Sequence, residues 1–399
     1  MSRPIEIADR ISWVGVNDRE TDLFEAMWPL TQGISYNSFL LVDRKTALVD
    51  TVKKTHLLEF VEKVKAALPP GRGVDCLVIN HIEPDHSGAI PVLKELFPGM
   101  QIVGNRKTVE FLRDFYRIDS DTVTVADGDR LDLGDRSMSF HITPMVHWPE
   151  TMMTYDEKEK ILFSGDAFGG FKALDGGLFD DEVLLDRFDD ELLRYFSNII
   201  GKFSPMVQKA IAKVKGLDIR MIASTHGPVW RTAPGCIIDK YDLWSRFVAE
   251  EGVVIAYASM YGNTLRMAEA VARGLARSGV REIRMHDVSR VNPSFIIRDL
   301  WRFKGVVLGS CTYETALFPP MRGLVELLEE KALKNRVLGI FGTYAWSGGA
   351  VKNLRLFQEK AGWKLVEPVV EAKCSADEDH LGLCLQLGEN MAHAVSTEP

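Results

Sequence analysis

Four side chains able to bind a metal stand within six residues, His81-Ile82-Glu83-Pro84-Asp85-His86, and that density limits the folds open to the chain. The run follows Cys76-Leu77-Val78-Ile79, which reads as a short buried strand. In extended backbone, side chains two apart share a face, so His81 and Glu83 should project together. Pro84 stiffens the turn and favours extended geometry at Glu83. Asp85 and His86 then aim at a second point close by. One loop could serve two adjacent metal ions.

The plainer reading is a solvated polar loop. It fails because the same setting recurs downstream. His147 follows the extended segment Met138 to Thr143, Asp166 follows Ile161-Leu162-Phe163, and His226 follows Met221-Ile222-Ala223. Ligand-type residues just past apolar runs are expected of a site built from loops at one edge of a packed sheet. The set comprises four imidazoles and three carboxylates, enough for two ions with one shared bridge.

These residues resemble the metallo-β-lactamase superfamily, whose hydrolases carry H-x-H-x-D-H followed by a later His, Asp and His. The likeness covers roughly residues 1–250, including a hairpin expected from Ser38 to Val42, Asp43-Arg44-Lys45 and Ala47 to Asp50. One departure matters: Glu83 stands where the zinc hydrolases have a second His. Carboxylate oxygen suits iron and manganese better than imidazole does, and a further anion favours the ferric state. With the C-terminal half described next, the chain resembles the flavodiiron proteins, also called A-type flavoproteins. The resemblance implies one iron at His81, Glu83 and His147, the other at Asp85, His86 and His226, and Asp166 as bridge.

Near residue 250 the chain restarts. Glu250-Glu251-Gly252 reads as a charged turn before the apolar strand Val253 to Tyr257. Ser259-Met260-Tyr261-Gly262-Asn263-Thr264 comes next, then a helical pattern from Leu265 to Val271. A strand, a hydroxyl-rich turn with one Gly, and a helix form a phosphate cradle of backbone N–H groups and hydroxyls. It is neither a Walker loop nor a G-x-G-x-x-G dinucleotide turn. Two further strand-to-loop junctions follow, Ser310-Cys311-Thr312-Tyr313-Glu314 and Thr343-Tyr344-Ala345-Trp346-Ser347-Gly348. Alternating strands and helices imply a parallel sheet with ligands at the strand C-termini. These loops resemble flavodoxin, which implies that the first grips an FMN phosphate while the others flank the isoalloxazine. Tyr313, Tyr344 and Trp346 are the candidates for ring contact.

The expected fold class is α/β: an N-terminal αββα metallo-β-lactamase-like sandwich over 1–250 and a C-terminal flavodoxin-like doubly wound parallel sheet over 251–399. A length of 399 residues accommodates two such domains. A net charge of −8 without a dense Lys/Arg stripe argues against nucleic acid and against anionic membrane surfaces. The N-terminus lacks a signal-peptide core and no run reaches transmembrane length, so a cytoplasmic location is expected. Five cysteines form no C-x-x-C pair, which implies free thiols and an external one-electron donor rather than a built-in rubredoxin.

Residues 236–250 show helical apolar spacing and are expected to close the first domain. Tyr195 begins a helical stretch reaching Ala212, where family insertions cover the metal site; it is a candidate pocket residue, with ordinary packing as the alternative. His141 is expected to be an exposed strand histidine, His56, His286, His380 and His393 to be surface or structural, and the tail after Leu383 to be unremarkable.

The resemblance implies a reductase that takes NO to N2O, O2 to water, or both, protecting an anaerobe from nitrosative and oxidative stress, with NO favoured. Its donor would be rubredoxin or a rubredoxin-containing flavoprotein. It would act as a head-to-tail homodimer, or a tetramer built from it, placing one chain's flavin beside the other's irons. The alternative is a zinc hydrolase with an appended flavodoxin domain, which leaves both Glu83 and the flavin loops without a use. An electron carrier with a structural metal site is weaker still, given so complete a ligand set.

Overall fold

The computed structural model describes residues 3–396. The chain divides into two compact units, Met1–Ser245 and Arg246–Pro399. Glu250 and Glu251, expected as a charged turn, are not one. They open the strand Glu250–Ala258, with Glu250 paired to Phe303.

In the first unit a seven-stranded sheet runs in the order Ile5–Ala8, Ile11–Trp13, Phe39–Val42, Thr46–Val49, Cys76–Val78, Gln101–Gly104, Thr122–Thr124. A second sheet has five strands: Arg130–Asp132, Ser137–Ile142, Met152–Asp156, Ile161–Gly165 and Met221–Ser224. The expected hairpin is present, with Phe39 opposite Val49 and Val42 opposite Thr46. Phe39 and Phe163 meet between the sheets with ring centroids 5.3 Å apart. The strand Ile161–Gly165 is buried at every position, as a strand covered on both faces should be.

The ligand-bearing strands all run out at one edge. Cys76–Val78 pairs in parallel with Thr46–Val49 and Gln101–Gly104, and Ile161–Gly165 in parallel with Met221–Ser224. Parallel pairing aligns their C-terminal ends, so the loops after them converge. The helix Asp186–Tyr195 passes through a wider turn at Phe196–Ile200 before Ser204–Val214. Pro234–Ser245 closes the unit, so the helical stretch expected over 236–250 stops at Ser245.

The second unit is a doubly wound sheet in the order Ile283–Asp287, Glu250–Ala258, Phe303–Tyr313, Val337–Tyr344, Lys364–Lys373, all parallel. That is the flavodoxin order, with its ligand crevice where the winding reverses beside the first strand. The tail after Leu383 is far from unremarkable. It belongs to the helix Glu378–Ser396, which buries Cys384, Leu387, Met391 and Val395 against the sheet. Its backbone lies so close to the helix Asn263–Arg277 that a Cβ on Gly388 would overlap the Val271 carbonyl, and one on Gly274 the Leu385 carbonyl.

Candidate metal centre and flavin cradle

His81 and Glu83 lie on the loop after Cys76–Val78, and Asp85 and His86 on a single helical turn, Pro84–Ser87. The loop is pinned from behind. Buried Asp50 accepts from the backbone N–H of Asn80 at 2.7 Å and of His81 at 3.3 Å, and from the Asn80 side chain at 3.1 Å. Asn80 in turn accepts from the Thr154 hydroxyl at 2.6 Å, which ties the loop to the second sheet.

The seven predicted residues converge as two groups, His81, Glu83, His147 and Asp166, and Asp85, His86 and His226. His81 Nε2 is 3.1 Å from Glu83 Oε2 and 3.6 Å from Asp166 Oδ2, while His147 Nε2 is 3.1 Å from each of those oxygens. Opposite, His86 Nε2 is 3.2 Å from Asp85 Oδ2 and 3.0 Å from Asp166 Oδ1. His226 Nε2 lies 3.6 and 3.7 Å from the same two atoms. Asp166 thus turns one oxygen to each group.

Two imidazoles are oriented from behind. His81 Nδ1 donates to Glu150 Oε1 at 2.7 Å, and His226 Nδ1 to the Ser35 carbonyl at 2.8 Å, which leaves both Nε2 atoms facing inward. Glu150 is fully buried and also accepts from Ile82 N–H at 3.1 Å. Sequence reading missed Glu150, and also Asp50 and Ser35, since nothing in their local sequence marks them.

Burial opposes charge on His147 and His86, but the carboxylates outweigh it and lift both to about 9. Burial pushes Asp85 up to about 7 against the pull of His86, and burial with the His86 charge lowers His226 to about 4. Asp166 is held well below the carboxylate range because His86 and His81 overcome its burial. Even so, the cluster leaves bonding capacity unused. Both Asp85 oxygens, Asp166 Oδ2, both His86 nitrogens and the Nε2 atoms of His147 and His226 are buried with no hydrogen-bond partner among the described residues. Buried orphan atoms of this kind are costly, and most of them face a common centre. Hard oxygen and imidazole donors in two adjoining sets fit a pair of iron ions.

Tyr195 is fully buried beside this cluster, its ring 5.4 Å from that of His226 and 5.1 Å from Phe171. Its hydroxyl has no hydrogen-bond partner among the described residues. Burial and the charge of Asp166 hold it well above the usual phenol range, so it stays protonated. His141, expected to be exposed, is half-buried instead, with Ser139 Oγ at 3.3 Å. His286 and His380 make structural pairs with Asp299 at 2.8 Å and Asp377 at 2.5 Å.

In the second unit a cavity of about 730 Å³ opens at the strand C-termini. Ser259, Met260, Tyr261, Asn263 and Thr264 line it from the first loop, Cys311, Thr312 and Tyr313 from the second, and Thr343, Tyr344, Ala345, Trp346 and Ser347 from the third. Gly262, at φ +88°, makes the turn into the helix, and its N–H bonds Ser259 Oγ at 3.0 Å. Gly262, Ser310 and Gly348 fall outside the lining. Ser310 is buried and bonded to the Cys311 carbonyl at 2.8 Å, while Gly348 sits against Glu371. Glu314, Thr315, Cys374 and Ser375 also line the cavity, the last two from the end of Lys364–Lys373. The hydroxyls, the helix N-terminus and the aromatic rim fit a flavin mononucleotide.

The fold and these two sites define a protein that joins a metallo-β-lactamase-like metal domain to a flavodoxin domain. Residues 34–227 match the model for the ODP family beta lactamase and residues 255–388 the model for flavodoxin. An anaerobic nitric oxide reductase flavorubredoxin of Escherichia coli O1:K1 / APEC is 34% identical over 401 residues, covering 99% of this chain and 83% of that protein. The flavorubredoxin of Aeromonas salmonicida (strain A449) is also 34% identical, over 99% of this chain and 76% of that one. Among solved structures, rubredoxin oxygen:oxidoreductase from Desulfovibrio gigas superposes with a TM-score of 0.94 at 27% identity, covering 98% of each chain. The flavodiiron protein from Giardia intestinalis gives 0.93 at 26%, over 98% of this chain and 97% of that one. The chain belongs to the flavodiiron protein family. It is an oxidoreductase whose cofactors are FMN and a di-iron centre.

Proposed function

We propose that this chain reduces nitric oxide to nitrous oxide, and dioxygen to water, using electrons from a rubredoxin-type donor. The observation that carries the reading is the division of the two Asp166 oxygens between two histidine–carboxylate groups. His81, Glu83 and His147 are the proposed ligands of one iron, Asp85, His86 and His226 of the other, and Asp166 spans both. A hydrolytic zinc site would give the flavin cradle no role.

When bound, the iron pair and FMN supply the electron transfer and the positions at which diatomic molecules bind. The chain does the rest. Ser259 to Thr264 hold the phosphate with hydroxyls, backbone N–H groups and the end of the helix Asn263–Arg277. Phe24 and Tyr195 pack against His226, with Phe171 behind Tyr195, and limit water. The Tyr195 hydroxyl, protonated and without a partner, can donate to an oxygen atom in the pocket.

Nitric oxide is the proposed physiological substrate, as the names of the flavorubredoxin relatives suggest, and the setting an anaerobe under nitrosative or oxidative stress. A cytoplasmic location accords with five free cysteines, and among the described residues no helix is long and apolar enough to cross a membrane. A head-to-tail homodimer, or a tetramer built from it, is proposed because Tyr261 and Trp346 at the flavin mouth are 91% and 83% exposed and call for cover. Light scattering on the purified protein tests that assembly.

The activity test compares anaerobic NO consumption with O2 consumption under one reduced rubredoxin. Purified protein should hold about two irons and about one FMN per chain. Two zincs without flavin, or an inert metal pair, would refute the reading.

A further inference from the structure

The two halves of the cluster offer the same donor types, two imidazoles and one carboxylate each, around the shared Asp166. What stands behind those donors differs. In the first half His81 Nδ1 donates to the buried carboxylate of Glu150 at 2.7 Å. In the second, His226 Nδ1 donates to the neutral Ser35 carbonyl at 2.8 Å, and His86 Nδ1 has no hydrogen-bond partner among the described residues. An imidazole backed by a carboxylate is the stronger donor.

The bridge is uneven in the same sense. Thr225 Oγ1 lies 2.6 Å from Asp166 Oδ1, the oxygen turned to His86. Oδ2, turned to His147, has no hydrogen-bond partner among the described residues. An ionised carboxylate only accepts, so the hydroxyl donates, and the separation is that of a charge-assisted bond. Thr225 is fixed in place. It is 2% exposed, its N–H donates to the Gly165 carbonyl at 3.0 Å, and its carbonyl accepts from Asn37 N–H at 2.7 Å. The Asn37 side chain donates to the Ser224 and Gly227 carbonyls at 2.9 Å each and accepts from Trp13 Nε1 at 2.9 Å.

We propose that Thr225 is a positioning residue that makes the Asp166 bridge lopsided, so that the Asp85–His86–His226 side takes metal last and is reduced first. Its hydrogen bond occupies one lone pair of Oδ1 and draws electron density from the other, which is left for a metal. The second half is thus the weaker donor set through both its histidines and its share of the bridge. A weaker donor set holds a cation less tightly and stabilises the ferric state less, which raises the potential on that side. An arriving electron then has a defined destination.

The inference rests on the reading that the seven ligands form two metal positions of a reductase, and its test does not need turnover. Metal-stripped, FMN-loaded protein is titrated with cobalt(II) in a calorimeter. Repulsion between the two cations staggers even equal positions, so the variants carry the test. Thr225→Val keeps the shape of the side chain but cannot donate. It should tighten the second step by about tenfold and leave the first unchanged. Thr225→Ala should do the same, which guards against a packing fault in either, and Thr225→Ser should match the wild type. Glu150→Gln should weaken the first step alone. In iron-loaded protein Thr225→Val should lower the first one-electron potential of the metal pair by about 59 mV, the equivalent of tenfold. A residue that merely packs would give the opposite sign, a looser second step in both variants. That result, an equal change in both steps, or an unmoved potential would overturn the inference. Uptake of fewer than two cobalt ions per chain would overturn it together with the ligand assignment. The expected steps in a protein inert toward NO and O2 would uphold it and remove only the reductase activity.

Discussion

Glu150 holds His81 from the side away from the cluster, with Oε1 2.7 Å from Nδ1 and no exposed surface of its own. Asn105 fixes the Glu150 backbone by donating to its carbonyl. A carboxylate behind a ligand histidine sets its tautomer and raises its donor strength. Glu150→Gln should therefore weaken metal retention on the order of 10-fold to 100-fold without loss of FMN. Equilibrium dialysis against a chelator, with flavin absorbance as control, measures both.

Glu83 is the residue that separates this cluster from a zinc hydrolase. Glu83→His trades a hard oxygen for imidazole, and the selectivity of the first group should move toward zinc. Metal analysis after refolding in equimolar iron and zinc should show zinc enrichment with an unchanged circular dichroism spectrum. Equal iron loading would show that carboxylate ligation does not set metal choice.

Metal uptake should release protons. His147 and His86 stand at about 9 in the metal-free cluster and Asp85 at about 7, so all three carry protons at pH 7 to an extent that ligation cannot tolerate. The sign follows: raised values favour the protonated, metal-free cluster at low pH, and that competition fades as pH rises through about 9. Apparent affinity should thus increase from pH 6 to 9. A pH-indicator titration should find more protons released per metal at pH 7 than above pH 9. Equal release at both would contradict the assignment.

Arg336 is fully buried and, among the described residues, meets no carboxylate. Its guanidinium donates to the carbonyls of Leu300, Trp301, Phe247, Lys334 and Asn335, and burial lowers it to about 9. Arg336→Met would leave those carbonyls unpaired, at a cost of about 3 kcal/mol or more. Denaturant unfolding of the second unit should shift accordingly. Lys in its place should rescue little, because one ammonium cannot reproduce the planar fork.

Gly388→Ala should destabilise the second unit by about 1 to 3 kcal/mol, since the new methyl group meets the Val271 carbonyl where two helices touch. A neutral result in thermal unfolding would mean that the helix Glu378–Ser396 can shift outward at little cost.

Much of this protein was legible along the chain. The spacing of His81, Glu83, Asp85 and His86, and the placement of His147, Asp166 and His226 after apolar runs, depend on strand periodicity and turn chemistry, which are local. The flavin loops were legible for the same reason, since a strand, a hydroxyl-rich turn and a helix follow one another in sequence. Tertiary structure alone decided which atoms face one another. It divided the Asp166 oxygens between two groups, set Glu150 behind His81, and brought Asp18 from near the N-terminus to His56 and Tyr36. It also turned an undistinguished tail into a core helix, because Gly388 could dock on Gly274 only once both helices existed. Local pattern specifies which faces are apolar and where backbone turns. Partners from distant segments are chosen by close packing and by the cost of leaving buried polar atoms unpaired, and neither is visible until the chain has folded.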